Sequence, residues 1–149
     1  MKTPSMHQVT DQIYVGSQSA SRRLRAKNAE SITAILNCTG DPYEPPPGIE
    51  LCTLAMADNS ECDPATVLRG VDFIHDAVTN GGIVLVHCLA GISRSRAIVA
   101  AYSVLHRGMT WTEAKAEVLR KRPLFIGINK KVEAGVLRAF AGYDAAQQA

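Results

Sequence analysis

Hydrophobic and polar residues alternate along this chain in blocks of two kinds. Four short apolar or β-branched runs, at residues 13–15, 32–37, 49–54 and 83–87, are bounded by Gly, Pro, Asn or Asp and predict strands. The last, Ile83-Val84-Leu85-Val86-His87, is nearly continuous apolar sequence, as expected of a strand covered on both faces. Between the third and fourth runs, Asp63 as N-cap and Pro64 at the first helical position introduce Val67, Val71, Ile74 and Val78 on one face. The stop Asn80-Gly81-Gly82 closes a strand, helix, strand unit. A second helix is predicted from about Arg96 to His106, ended by Gly108; its run Ala97-Ile98-Val99-Ala100-Ala101 is apolar nearly all round and places it in the core. A third starts at the capping box Thr110-x-x-Glu113 and stops at Pro123 after a basic last turn. A fourth, at about residues 129–141, carries Val132, Val136 and Phe140 at four-residue intervals. Strands alternating with helices, then a run of helices, predict a single α/β domain with a mostly parallel central sheet of four to five strands flanked by helices.

Composition narrows the class. With 149 residues, 46% hydrophobic and 20% charged, the chain suits one globular domain with a core at about residues 8–142, and no repeat or low-complexity linker divides it. No run approaches the roughly 18 apolar residues of a membrane span, and the first residues lack the apolar stretch of a secretory signal. Cys38, Cys52, Cys62 and Cys88 show neither zinc-site pairing nor disulfide density, so a reducing compartment is expected: the cytoplasm, with access to the nucleus. A net charge of +2 with no long basic cluster argues against nucleic acid.

The chemistry is concentrated where the buried strand ends. There the chain reads His87-Cys88-Leu89-Ala90-Gly91-Ile92-Ser93-Arg94-Ser95 and enters the core helix. A loop from a strand's C-terminal end into a helix N-terminus aims several backbone N–H groups into one concavity, where the helix dipole adds partial positive charge. Such a nest suits a tetrahedral dianion, and Arg94 can clamp two of its oxygens with a planar fork. The same positive groups favour the thiolate form that a cysteine needs to act as a nucleophile. Gly91 suits a backbone that turns sharply and approaches a ligand without a Cβ.

The spacing Cys-x5-Arg after a histidine is the signature of cysteine-based protein phosphatases, and this loop closely resembles that of the dual-specificity subfamily. Asp11 to Gly16, Ile35-Leu36-Asn37, Met56-Ala57-Asp58-Asn59, Val71 to Ile74, and Arg122-Pro123 with Asn129 look like landmarks of that family in the same order. The resemblance implies the cysteine phosphatase fold and a two-step reaction on phosphorylated side chains, without metal or organic cofactor. Cys88 would attack phosphorus, with the phosphate held by the backbone of Leu89, Ala90, Gly91, Ile92, Ser93 and Arg94 and by the Arg94 side chain. Asp58 would serve as general acid and then general base, Ser95 would donate to the sulfur, and His87 would order the loop. The implied partner is a phosphorylated protein or peptide, met by a monomer, with no membrane or nucleic acid involved.

Blander readings exist beside these. Cys88 alone could be a buried inert thiol, His87 a core histidine and Ser95 a helix-start residue. Asp63 is a rival acid, but its place before Pro64 assigns it to capping. Cys38 is either an ordinary buried cysteine or a disulfide partner for Cys88 on oxidation, and the helix of Trp111 is read as core packing. Arg96 stands where many relatives carry proline, and is expected either to favour acidic substrates or to point to solvent. Leu89, Ala90 and Ile92 are uncharged, which disfavours a phosphoinositide substrate. A phosphoprotein-binding module without turnover, a lipid or glycan phosphatase, and a rhodanese-like sulfur carrier are the competing functions.

Overall fold

The computed structural model describes residues 3–148, and side chains through Asp144. In chain order the elements are β1 (Met6–Thr10), β2 (Ile13–Gly16), α1 (Gln18–Ala26), β3 (Ala34–Asn37), β4 (Glu50–Thr53), α2 (Pro64–Thr79), β5 (Val84–His87), α3 (Arg94–His106), α4 (Trp111–Lys121) and α5 (Lys130–Gln148). They form a single α/β unit around one five-stranded sheet of order β1-β2-β5-β3-β4. All neighbours run parallel except the hairpin pair β1 and β2. The four anticipated strands and four anticipated helices are present. β1 and α1 are additions that the hydrophobic pattern did not mark.

β5 is the middle strand, and its apolar continuity follows from alternation between two covered faces. Val84 and Val86 point to the large cluster built with α2, α3, α4 and α5, together with Ala34 and Leu36 of β3. Leu85 and Ile35 point the other way, to a smaller cluster closed by Ala20 and Leu24 of α1. Each such side chain contributes about 1.5–3 kcal/mol by leaving water. Because β5 is locked on both faces and both edges, its C-terminal end is a fixed platform.

The helix boundaries obey local chemistry. Asp63 accepts the Ala65 N–H and Pro64 opens α2. Thr110 and Glu113 form the reciprocal capping box of α4. α3 starts two residues earlier than expected, at Arg94, because Ser93 already has helical backbone angles. Every residue of α3 from Arg94 to Ser103 is buried, so this helix has no solvent face over its first ten positions. None of the described helices is long and apolar enough to cross a membrane.

Candidate active site

β5 delivers Cys88 to the C-terminal edge of the sheet, where the chain turns through residues 89–93 into α3. The loop's hydrogen bonding is one-sided. The Cys88 carbonyl faces Nδ1 of His87 at 3.1 Å, the Leu89 carbonyl accepts the Gln18 N–H, and the Ser93 carbonyl accepts the Ala97 N–H. Arg122 donates from Nε to the Gly91 carbonyl and from a terminal nitrogen to the Ala90 carbonyl, at 2.9 and 3.1 Å. Arg96 donates from Nε to the Ile92 carbonyl. Every carbonyl of residues 88–93 is thus tied back into the protein, whereas among the described residues no acceptor engages the N–H groups of Leu89 to Ser93. Unpaired backbone donors are expensive away from water. An anion in front of this loop satisfies them together.

The cavity at this spot has a volume of about 440 Å³ and is lined by Asp58, Cys88, Leu89, Ala90, Ile92, Ser93, Arg94 and the segment 126–130. Cys88 Sγ lies 3.2 Å from Ser95 Oγ. Arg94 is nearly buried, and one terminal nitrogen holds the carbonyls of Cys38 and Met56 at 3.2 and 3.0 Å. Its Nε is buried without a protein partner, leaving an edge of the guanidinium for an oxyanion. By gripping Met56, Arg94 also ties the segment bearing Asp58 to the Cys88 side of the cavity.

Asp58 is exposed at the mouth, and its Oδ1 accepts the Asn59 N–H at 2.9 Å. Asn59 has φ of 53°, a left-handed conformation that asparagine tolerates better than most residues. Its side-chain oxygen accepts from Asn129 Nδ2 at 3.0 Å, while the Asn129 backbone N–H donates to Ser93 Oγ. A relay therefore runs from the loop through Ser93, Asn129 and Asn59 to Asp58. Asp63, the rival acid, caps α2 and does not line the cavity.

His87 is fully buried behind the loop. Burial, reinforced by the Arg94 charge, pushes its pKa down, although the contact with the Cys88 carbonyl opposes this. A neutral ring whose Nδ1 faces a carbonyl must carry its proton there, so Nε2 accepts from the Tyr43 hydroxyl at 2.8 Å. Burial holds the Tyr43 pKa up, which keeps that hydroxyl a donor. The sequence reading did not single out Tyr43, since a tyrosine in the Pro-rich stretch at residues 42–48 carries no local signal of its partner.

Two expectations need correction. Arg96 points neither to solvent nor to substrate: it is fully buried and donates to the carbonyls of Ile92, Arg122 and Ile126. Its burial was readable, because a helix that is apolar all round leaves no exit for a side chain in its first turn. Gly91 turns with φ of 71° as expected, but the protein rather than a ligand crowds it. A Cβ there would lie 2.6 Å from the Gly16 carbonyl carbon and 2.8 Å from Arg122 Nε. Cys38 is a free, buried thiol whose pKa burial raises, next to Cys88 at the ends of paired strands. Trp111 packs edge-on against Phe140 and donates to Glu133, away from the cavity. Among the described residues, no group of three or more His, Cys, Asp or Glu is placed to hold a metal ion.

The sequence model of the dual specificity phosphatase catalytic domain matches residues 13–132. The chain belongs to this family. It is 33% identical over 128 residues to Dual specificity protein phosphatase 22-A of Danio rerio, covering 83% of the chain and 60% of that protein. It is 31% identical over 113 residues to human Dual specificity protein phosphatase 15, covering 75% of the chain and 38% of that protein. The chain thus spans between about two fifths and three fifths of these relatives' lengths. The crystal structure of DUSP15 superposes with a TM-score of 0.75 at 26% identity, over 93% of this chain and 86% of that one. The sheet and helices described above are accordingly those of the cysteine phosphatase fold, and this dual specificity phosphatase domain carries Cys88 at its centre.

Proposed function

We propose that this dual specificity phosphatase domain hydrolyses phosphotyrosine and phosphoserine or phosphothreonine in proteins through a phosphocysteine on Cys88. One observation carries the reading: six consecutive carbonyls, from Cys88 to Ser93, are turned away from the cavity, and the N–H groups beside the Cys88 sulfur are left for a phosphate. The family membership and the buried, unpartnered Arg94 Nε support the same reading.

In the first step the Cys88 thiolate attacks phosphorus in line, and the bond from phosphorus to the side-chain oxygen breaks. The amides of residues 89–94 and the Arg94 fork hold the equatorial oxygens where negative charge accumulates. Asp58 delivers its proton to the departing oxygen. In the second step the Asp58 carboxylate takes a proton from water, whose oxygen attacks phosphorus and displaces the sulfur. Ser95, at 3.2 Å from Sγ, donates to the departing thiolate, and the released product is inorganic phosphate. His87 and Tyr43 act from behind the loop by fixing the Cys88 carbonyl.

The test is phosphate release from a small aryl phosphate. Turnover that vanishes in Cys88→Ser, with retained affinity for inorganic phosphate, is the expected result. Phosphate binding with no turnover by the unmodified chain would instead make it a phosphoprotein-binding module. Sulfur transfer from thiosulfate without phosphatase activity would make it a sulfur carrier.

A further inference from the structure

Large apolar side chains are rarely left in water together, and their arrangement here is uneven. Of the four that are exposed among the described residues, Leu89 and Ile126 line the catalytic cavity, Phe125 and Ile126 line the groove that adjoins it, and Leu137 lines neither. Phe125 is fully exposed at 106%, and Leu89 and Ile126 are 62% and 60% exposed. Beyond the ridge lies a second groove of about 520 Å³. Ala90, Ile92 and Ile126 line both it and the catalytic cavity, so the two depressions share a wall.

The second groove has a definite chemical character. Pro4, Leu124, Phe125 and Ile126 give it apolar surface, and Ser5 and Ser17 add neutral polar groups. Among the described residues it contains no carboxylate, and its one cation, Arg122, is 2% exposed and committed to the carbonyls of Pro4, Ala90 and Gly91. The ridge is also preformed. Arg96 reaches from inside α3 to the Ile126 carbonyl, the same guanidinium that ties down Ile92 of the phosphate loop. Groove and catalytic cavity are therefore fixed relative to each other by one buried side chain.

We propose that the Phe125 ridge and the groove behind it form a subsite for an uncharged apolar side chain lying one or two residues from the phosphorylated residue of the substrate. The inference rests on the phosphatase reading above. An extended peptide advances about 3.3–3.6 Å per residue, so a neighbour of the anchored phosphoresidue reaches across a single shared wall. The lack of exposed charge among the described residues of the groove selects against acidic and basic neighbours, which would lose water there without gaining a partner. The loop residues Leu89, Ala90 and Ile92 offer no cation to an inositol phosphate headgroup. Among the described residues Lys130 is the one lysine lining the catalytic cavity, and the apolar groove beside it suits a peptide side chain better than a polyanionic headgroup.

The experiment compares kcat/KM for phosphotyrosine peptides that carry Phe or Leu, or Ser or Asp, at each of the two positions on either side. Vesicles containing a phosphoinositide and a small aryl phosphate serve as the other substrates. The unmodified chain is expected to favour an apolar neighbour by about tenfold at one position, the scale of partly burying an aromatic ring. Phe125→Ser should erase that preference while leaving aryl phosphate turnover unchanged, because Phe125 does not line the catalytic cavity. Peptide turnover with no preference, or a preference that survives Phe125→Ser, overturns the subsite and leaves the phosphatase reading standing. Phe125-dependent turnover of vesicles above that of every peptide overturns it in favour of a lipid. Absence of turnover on all three substrates overturns both.

Discussion

The two segments that meet over the Cys88 sulfur are built in opposite ways. The loop after β5 is held from behind by buried groups: His87, Arg96 and Arg122 are each at most 2% exposed, and together they secure the carbonyls of Cys88, Ala90, Gly91 and Ile92. The acid segment around Asp58 lies exposed at the mouth, joined to the loop by side-chain and single backbone hydrogen bonds through Asn59 and Asn129. Stabilising a charge that develops in the transition state rewards dipoles fixed in advance, because nothing then reorganises during the reaction. Moving a proton to one leaving group and later taking one from water requires access. Under the proposed mechanism, burial in this domain is spent on orienting the anion cup, while the proposed proton donor, Asp58, is kept in solvent and aligned by a short relay.

The largest effect should follow from changing the one side chain that belongs to both segments. Arg94 faces the cavity with an unpartnered Nε and holds Met56 of the acid segment. Arg94→Lys supplies a point charge that cannot bridge two oxygens, and it releases Met56. We expect kcat/KM on an aryl phosphate to fall about a thousandfold, the upper range for losing an oxyanion donor, with weaker inhibition by inorganic phosphate. A variant that keeps phosphate inhibition unchanged would separate Arg94 from the cup.

A smaller, differently shaped loss is expected from Asp58→Ala. Leaving-group protonation acts in the transition state, so kcat should drop about a hundredfold with little change in phosphate inhibition. The loss should shrink for a substrate whose leaving group is already acidic. Asn129→Ala, which cuts the relay, should lower kcat less, and should add almost nothing in the Asp58→Ala background. Equal kcat in Asp58→Ala would remove the acid from this segment.

The legible part of the site is the part whose structure and chemistry share contiguous residues. Strand, loop and helix from Ile83 to His106 were readable because an apolar strand, a Gly turn and a Cys-x5-Arg spacing coincide within one stretch. What stayed hidden depends on contacts far apart in sequence. Tyr43 meets His87 across 44 positions, and Arg122 meets Gly91 across 31, so neither pairing leaves a periodic trace. β1 escaped notice because its five residues include His7 and Gln8 and bury only Met6 and Val9, as suits an edge strand. α1 escaped because Arg22, Arg23 and Arg25 face outward and only Ala20, Ser21 and Leu24 turn inward, too narrow a stripe to stand out.

Arg96 is where sequence reading and structure diverge most, and it gives the finest test of the buried half of the comparison. Burial, helped by the neighbouring Arg122 charge, lowers its pKa, and among the described residues no carboxylate pairs with it. A buried cation satisfied only by carbonyls is costly, and the cost is offset by fixing three of them: Ile92 in the loop, Arg122 at the end of α4, and Ile126 on the opposite wall. Arg96→Met fills similar volume but donates nothing, so those carbonyls lose their anchor and the loop gains freedom to turn its amides. We expect kcat/KM to fall about tenfold, together with a matching rise in the inhibition constant for inorganic phosphate, since each mispointed amide weakens binding of the same dianion. Arg96→Lys, which keeps the charge and some donors, should recover part of both. A lowered melting temperature with unchanged phosphate inhibition would make Arg96 a packing residue only, and the preformed cup would then rest on His87 and Arg122.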